Sequence, residues 1–156
     1  MINYQWLQHD GGTHTMFPST GTYNDGAGHT LVTSYSVLRP DGTWSVMLVN
    51  RDQHNAHRVT IVFKDSQTKK ENYFSGAVDA AFFGPDQYKW HPAQQLVDPS
   101  HFPLEPKDPL QQYAPGYAGP DGPIKESTLQ GDKNTEYELP ASSIVVLRGK
   151  LNSDGK

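Results

Sequence analysis

Apolar and polar positions along the chain alternate with the period of two that marks β-strands. From His29 to Leu38 the residues are mostly β-branched or aromatic, with Leu31, Thr33, Tyr35 and Val37 on one face. Arg39-Pro40-Asp41-Gly42 follows as a tight turn, where Pro presets φ and Gly accepts the left-handed closing position. The return, Thr43 to Asn50, becomes apolar on both faces, as a central strand of a sandwich does. A polar turn, Arg51 to Asn55, leads to Arg58–Phe63, where Val59, Ile61 and Phe63 share a face. These three stretches predict an antiparallel meander. Near the C-terminus Thr135–Leu139 is a short alternating strand, Pro140-Ala141-Ser142 turns the corner, and Ser143–Gly149 is a second buried strand. Residues 77–83 fit a strand or a short helix, with strand preferred, and the opening Tyr4-Gln5-Trp6 reads as strand. Ile144, Val146, Ile61 and Leu48 lead the expected core. The fold class is all-β: an antiparallel β-sandwich, jelly-roll or immunoglobulin-like, of about eight to ten strands.

The segment from Gly84 to Gly122 has another texture. Its eight prolines remove backbone donors, and Tyr88, Trp90, Phe102, Tyr113 and Tyr117 are scattered among them. An ordered loop of this length inside a compact domain is usually functional or flexible. A single sandwich domain is expected over residues 1–150, with 84–122 as a long Pro- and aromatic-rich loop and 151–156 as a polar tail.

Composition narrows the function classes. Hydrophobic residues are 35% of the chain, with 14 Gly and 12 Pro, which suits short strands and many turns. Net charge is 13 − 17 = −4 and no basic cluster exceeds Lys69-Lys70, so nucleic acid is not an expected partner. The absence of Cys excludes disulfides, zinc ribbons and thiol nucleophiles, and suits a bacterial protein of any compartment. No stretch approaches a membrane span or a signal peptide. A chain that opens in mid-strand reads as a piece of a longer protein whose targeting signal lies elsewhere.

Chemistry-bearing motifs are few. Gly26-Ala27-Gly28 precedes a strand, not a helix, which removes the dinucleotide reading, and no Gly-x-Ser-x-Gly elbow occurs. His54 and His57 have ligand-like spacing, yet lie in a polar turn and read first as solvated. His9 and His14 flank Asp10-Gly11-Gly12, a hairpin tip on the same reading. Carboxylates such as Asp41, Asp121 and Asp132 occupy turns, where backbone bonding explains them. Asp79, inside an apolar strand, either faces water, the preferred reading, or ligates a structural Ca²⁺; no other cofactor is expected. Aromatic residues are 11% of the chain, and flat rings offer sugars a stacking surface. Trp44 suits core packing or stacking, Trp6 either, and Tyr88 with Trp90 form a Tyr-x-Trp pair that shares a strand face. His91, Tyr113 and Tyr117 would complete a carbohydrate-binding platform.

The order of three pieces resembles the C-terminal β-sandwich of glycoside hydrolases that carry a (β/α)8 catalytic barrel, as in family-thirty-nine β-xylosidase-like and arabinofuranosidase-like enzymes. The pieces are Val32–Tyr35 with Leu38–Asp52, Gln87–Pro92 with Gly119–Pro123, and Tyr137–Gly149; Tyr4–Leu7 through Met16–Ser19 resembles the stretch joining barrel to sandwich. The resemblance implies a domain with no catalytic residue, since the catalytic glutamates of those families sit on the barrel. Two roles are implied: binding of plant-type polysaccharide such as xylan or a related β-glycan, or buttressing of the catalytic barrel in the parent chain. It also implies a secreted or periplasmic parent enzyme.

Overall fold

A computed structural model of the protein describes residues 5–9, 11–91, 94–95, 113–114, 117–120 and 122–152, with side chains at 5–9, 11–88 and 122–152. In chain order the strands are β1 (Thr15–Phe17), β2 (Val32–Leu38), β3 (Trp44–Asn50), β4 (His57–Val59), β5 (Phe63–Lys64), β6 (Glu71–Asn72) and β7 (Phe74–Phe83). Then come β8 (Tyr88–His91), β9 (Gln94–Gln95), β10 (Tyr113–Ala114) and β11 (Tyr117–Pro120), followed by β12 (Lys125–Gly131), β13 (Tyr137–Leu139) and β14 (Ser143–Leu151). Two compact units result: residues 86–123, and the sandwich formed by the rest. The fold class is the expected one, all-β and antiparallel.

In the sandwich, six antiparallel strands form one sheet in the order β1-β2-β3-β14-β7-β12. The facing layer consists of two ribbons, β4 with β13 and β5 with β6. Between them Val32, Val46, Leu48, Val78, Ala80, Val145 and Leu147 of the sheet meet Tyr137 and Leu139 of β13. Val59, Ile61 and Phe63 pack onto this core from the same side, so their predicted common face is the observed one. Phe74 joins Phe63 to Tyr137 by edge-on contacts at 5.1 and 6.3 Å, a favoured arrangement of ring quadrupoles.

The β2–β3 hairpin closes as the sequence predicts: Arg39 N–H donates to Thr43 O (2.9 Å), Gly42 N–H donates to Arg39 O (3.0 Å), and Gly42 has φ +76°. The three-stranded meander does not form. After β3 the chain leaves the sheet, β4 pairs with β13, and the place beside β3 goes to β14. A strand apolar on both faces needs a partner equally apolar, and β14 is that partner; the short β4 is not.

Two further expectations are corrected. Gln5 and Trp6 adopt a helical turn, not a strand. On β14 the face between the two layers is the other phase: Val145 and Leu147 fill it, while Val146, buried as expected, and the half-buried Ile144 lie on the sheet's opposite face. Residues 77–83 are strand, within β7. Beyond the expected end of the domain, Leu151 continues β14, and Asn152 exchanges bonds with Tyr73 through its N–H (3.0 Å) and its Oδ1 (2.8 Å). Between β14 and β7 the register slips so that Gly76 and Ala77 are extra residues, and Gly76 takes φ +78°. A side chain at that φ would be strained, hence glycine at the bulge.

Among the described residues of 86–123 two short antiparallel ribbons occur. β8 pairs with β11 (Tyr88↔Pro120, Trp90↔Ala118, His91↔Tyr117), and β9 pairs with β10 (Gln95↔Tyr113).

Candidate functional site

Strand parity places a second set of side chains on the face of the six-stranded sheet away from the core. Pairing arranges them in rows. Thr33, Val49, Ile144 and Phe83 form one row; Tyr35, Met47, Val146, Ala81 and Glu126 form the next. A third runs Met16, Val37, Ser45, Arg148, Asp79 and Thr128. The first two rows are apolar almost throughout. An antiparallel sheet with one solvated face alternates apolar and polar residues, and the central strands β3 and β14 do not.

Part of this outer face is already covered. Val37, Ser45 and Val146 are fully buried there and Ala81 nearly so, although the facing ribbon layer lies on the other side. The N-terminal helical turn lies against this face. Gln5 Nε2 donates to Glu126 Oε1 on β12, and Trp6 meets Tyr35 on β2 edge-on at 6.5 Å. Gln8 anchors the same segment: its N–H donates to His14 Nε2 (2.9 Å) and its Oε1 accepts from Asp41 N–H (3.2 Å). Tyr35 remains 44% exposed and Met16 56%, while Met47, Val49 and Ile144 are half-buried. This leaves an apolar margin around the Trp6 turn.

Toward β7 and β12 the third row turns polar. Asp79 Oδ2 faces Arg148 Nη2 at 3.7 Å, and its Oδ1 accepts from Thr128 Oγ1 at 3.2 Å. The carboxylate therefore lies on the solvated side of β7, held by a cation and a hydroxyl. Among the described residues no three His, Asp or Glu side chains converge as a metal site.

Of the aromatic residues expected to bind sugar, two lie on the sheet of the sandwich. Trp44 stacks between Phe17 (4.7 Å) and Phe63 (4.9 Å) at the rim of the main core, and Trp6 lies on the opposite face. Tyr88 is 45% exposed at the start of β8. Trp90, His91, Tyr113 and Tyr117 sit in the short ribbons of the second unit, and their side chains lie outside the described residues, as do Phe102 and Asp121.

Sequence reasoning missed a polar hub. Asn50, buried at the end of β3, donates through Nδ2 to Pro140 O (2.8 Å) and Asn55 O (3.0 Å), and its Oδ1 accepts from Asp52 N–H (3.0 Å). Asp52 accepts from the N–H groups of His54 (2.9 Å) and Asn55 (3.0 Å) and faces His57 Nε2 at 3.0 Å. These bonds, the His54 N–H first, hold its carboxyl down from 3.8 to about 2. Of the histidine pair read as solvated, only His54 is exposed; His57 is half-buried, its ring against Tyr23 at 4.6 Å. The signal was present as Asn-x-Asp followed by His, an Asx-type turn with a ring to cap it.

Other carboxylates cap turns in the same way. The His29 ring holds Asp25 below its ordinary range, and the Thr68 N–H does so for Asp65. At Asp41 burial pushes upward but is outweighed by the hydroxyl and N–H of Thr43.

No family model matches the chain, and no curated protein matches it. Among solved structures it is similar to the thermostable GH51 α-L-arabinofuranosidase from Thermotoga petrophila RKU-1, at 14% identity and a TM-score of 0.41, over 79% of this chain and 20% of that one.

Proposed function

We propose that the chain is a non-catalytic accessory β-sandwich that docks, through the apolar margin of its outer sheet face, onto the catalytic barrel of a glycoside hydrolase. One observation carries this reading: the central strands are apolar on both faces, while the sandwich's own second layer covers only one. Burial of apolar area contributes roughly 25 cal/mol per Å², so a margin of this kind favours a protein partner over water. The barrel as partner, and a secreted or periplasmic parent enzyme, come from the resemblance of the strand sequences. A dye that fluoresces on apolar surface, anilinonaphthalene sulfonate, tests the face directly. The folded chain should enhance its emission, and Tyr35→Glu with Met47→Lys should remove the enhancement without loss of the β circular-dichroism signal. No enhancement from the native chain, or one indifferent to the double substitution, refutes the docking face.

A second reading, binding of xylan or a related β-glycan, is favoured by the exposure of Tyr88 on β8. Trp90 follows two residues later, a strand spacing of about 7 Å that suits neighbouring sugar rings. On this reading Trp90→Ala abolishes retention of the chain in an affinity gel containing soluble xylan and leaves the thermal midpoint unchanged. Retention that survives the substitution places the sugar elsewhere.

A further inference from the structure

The polar end of the outer face holds two adjoining cavities, of about 390 and 380 Å³, that share Asp79 and Arg148. Both volumes fall at the small end of the roughly 300–1,000 Å³ typical of small-molecule sites. Small residues, Ala77 and Gly149, help line the first, which widens it where longer side chains would fill it.

Two acceptor–donor units of the same construction line the first cavity. Asp41 Oδ1 is held by the hydroxyl (2.6 Å) and the N–H (2.9 Å) of Thr43, which turns its Oδ2 toward Arg39 Nε at 3.7 Å. Asp79 Oδ1 is held by Thr128 Oγ1, which turns its Oδ2 toward Arg148 Nη2, also at 3.7 Å. At that separation the facing oxygen and nitrogen do not satisfy each other, since an N–H···O bond closes at about 2.7–3.2 Å. The Arg39 side chain is only 10% exposed, and its Nε is buried without an acceptor among the described residues, so Arg148 is the guanidinium open to a ligand. Asp41 thus presents a carboxylate acceptor, and Asp79 with Arg148 presents an acceptor beside a guanidinium donor. A hydroxyl group is complementary to such a pair, because it donates to the oxygen and accepts from the N–H at once.

Charge decides what kind of hydroxylated ligand fits. The two cavities together are lined by three cations, Arg39, Arg148 and Lys150, and three carboxylates, Asp41, Asp79 and Glu126, so 3 − 3 = 0. A neutral lining gives no net attraction to an anion or a cation. Its alternating donors and acceptors match a ligand whose own hydroxyls do both.

We infer that these paired cavities form a binding site for a neutral polyhydroxylated ligand, a short oligosaccharide that lays hydroxyls against Asp41 and the Asp79–Arg148 pair. Its binding is expected to change little with salt, because the ligand carries no charge.

Titration of the ¹⁵N-labelled chain with xylotriose, followed by amide resonances, tests the inference. The expected result is saturable shifts at Ala77, Asp79, Gly149, Lys150 and Thr128. Asp79→Asn, at an exposed side chain, should weaken binding about tenfold, the equivalent of one hydrogen bond to a charged group. Thr128→Ala should weaken it less, by freeing the Asp79 carboxylate to rotate. Absence of shifts at these amides under xylotriose, with maltotriose and glycerol also silent, overturns the site. Shifts that appear only around Tyr88, and vanish with Tyr88→Ala but not with Asp79→Asn, overturn it too and assign the sugar to the second unit. Stronger binding of glucuronic acid than of xylotriose refutes the neutral-ligand argument. None of these outcomes bears on the docking face, which the dye experiment reads separately.

Discussion

Replacing Tyr137 with Phe should make the protein more stable, and increasingly so at alkaline pH. Tyr137 is 3% exposed in the main core, edge-on to Phe74, and its hydroxyl has no hydrogen-bond partner among the described residues. A buried hydroxyl without a partner costs about 1–3 kcal/mol in lost hydration, whereas Phe keeps the ring and its packing. A gain of about 1 kcal/mol at neutral pH is the conservative expectation. Burial, helped by the Asp132 carboxylate, also pushes the ionisation of Tyr137 from 10.0 up to about 12. Below pH 10 the phenol is protonated in both folded and unfolded chains and has no pH-dependent effect. Between pH 10 and 12 the unfolded chain loses the proton first, so stability falls as pH rises. That loss is at most about 3 kcal/mol, from about two units at 1.36 kcal/mol each. The other tyrosines contribute equally to both proteins, so the difference between wild type and Tyr137→Phe isolates this residue. Urea unfolding at pH 7 and pH 11 measures it. A Phe variant less stable than wild type at pH 7 would mean that the hydroxyl makes a bond, through water, and would refute the argument.

Three further outcomes follow from the same structure. Leu147→Ala should cost roughly 2–5 kcal/mol and Ile144→Ala under about 2 kcal/mol, because only the first fills the main core; equal costs in denaturant unfolding would reverse the face assignment of β14. Gly131→Ala would put a Cβ 2.8 Å from Val78 Cγ2 and 2.9 Å from Phe74 O, and should lower stability by about 1–3 kcal/mol; an unchanged thermal midpoint would show that β7 yields. Asp52 has a depressed folded pKa, so its contribution is full above pH 3.8 and is lost toward pH 2. The stability gap between wild type and Asp52→Asn should therefore close across that window, and a gap constant from pH 5 to 2 would refute its carboxylate as the cause.

The proposed docking role rests on one physical point, the doubly apolar central strand. In Trp44–Asn50 it is visible as Val46 and Leu48 on one side with Met47 and Val49 on the other. In Ser143–Gly149 it recurs as Val145 and Leu147 against Ile144 and Val146. Such a strand must be covered twice. The identity of the second cover is where a function enters.

Much of the architecture is local and was legible. Period-two alternation located β2, β3, β13 and β14, the Pro-Asp-Gly turn closed the β2–β3 hairpin, and aspartates marked the turns they cap, because these features depend on residues a few positions apart. Phase and partnership are different. On β14 every residue from Ile144 to Leu147 is apolar, so the sequence carries no contrast to say which side meets the core; pairing with β3 and β7 decided for Val145 and Leu147. The same holds for β4, whose partner is β13 across the sandwich and not the neighbouring β3. The candidate site was the least legible part. Asp41 with Arg39 and Thr43 is a local cluster, but Asp79, Thr128 and Arg148 stand far apart along the chain and become one unit only when β12, β7 and β14 pair side by side. Long-range strand pairing is set by the burial of the whole sheet, and no window of sequence contains it.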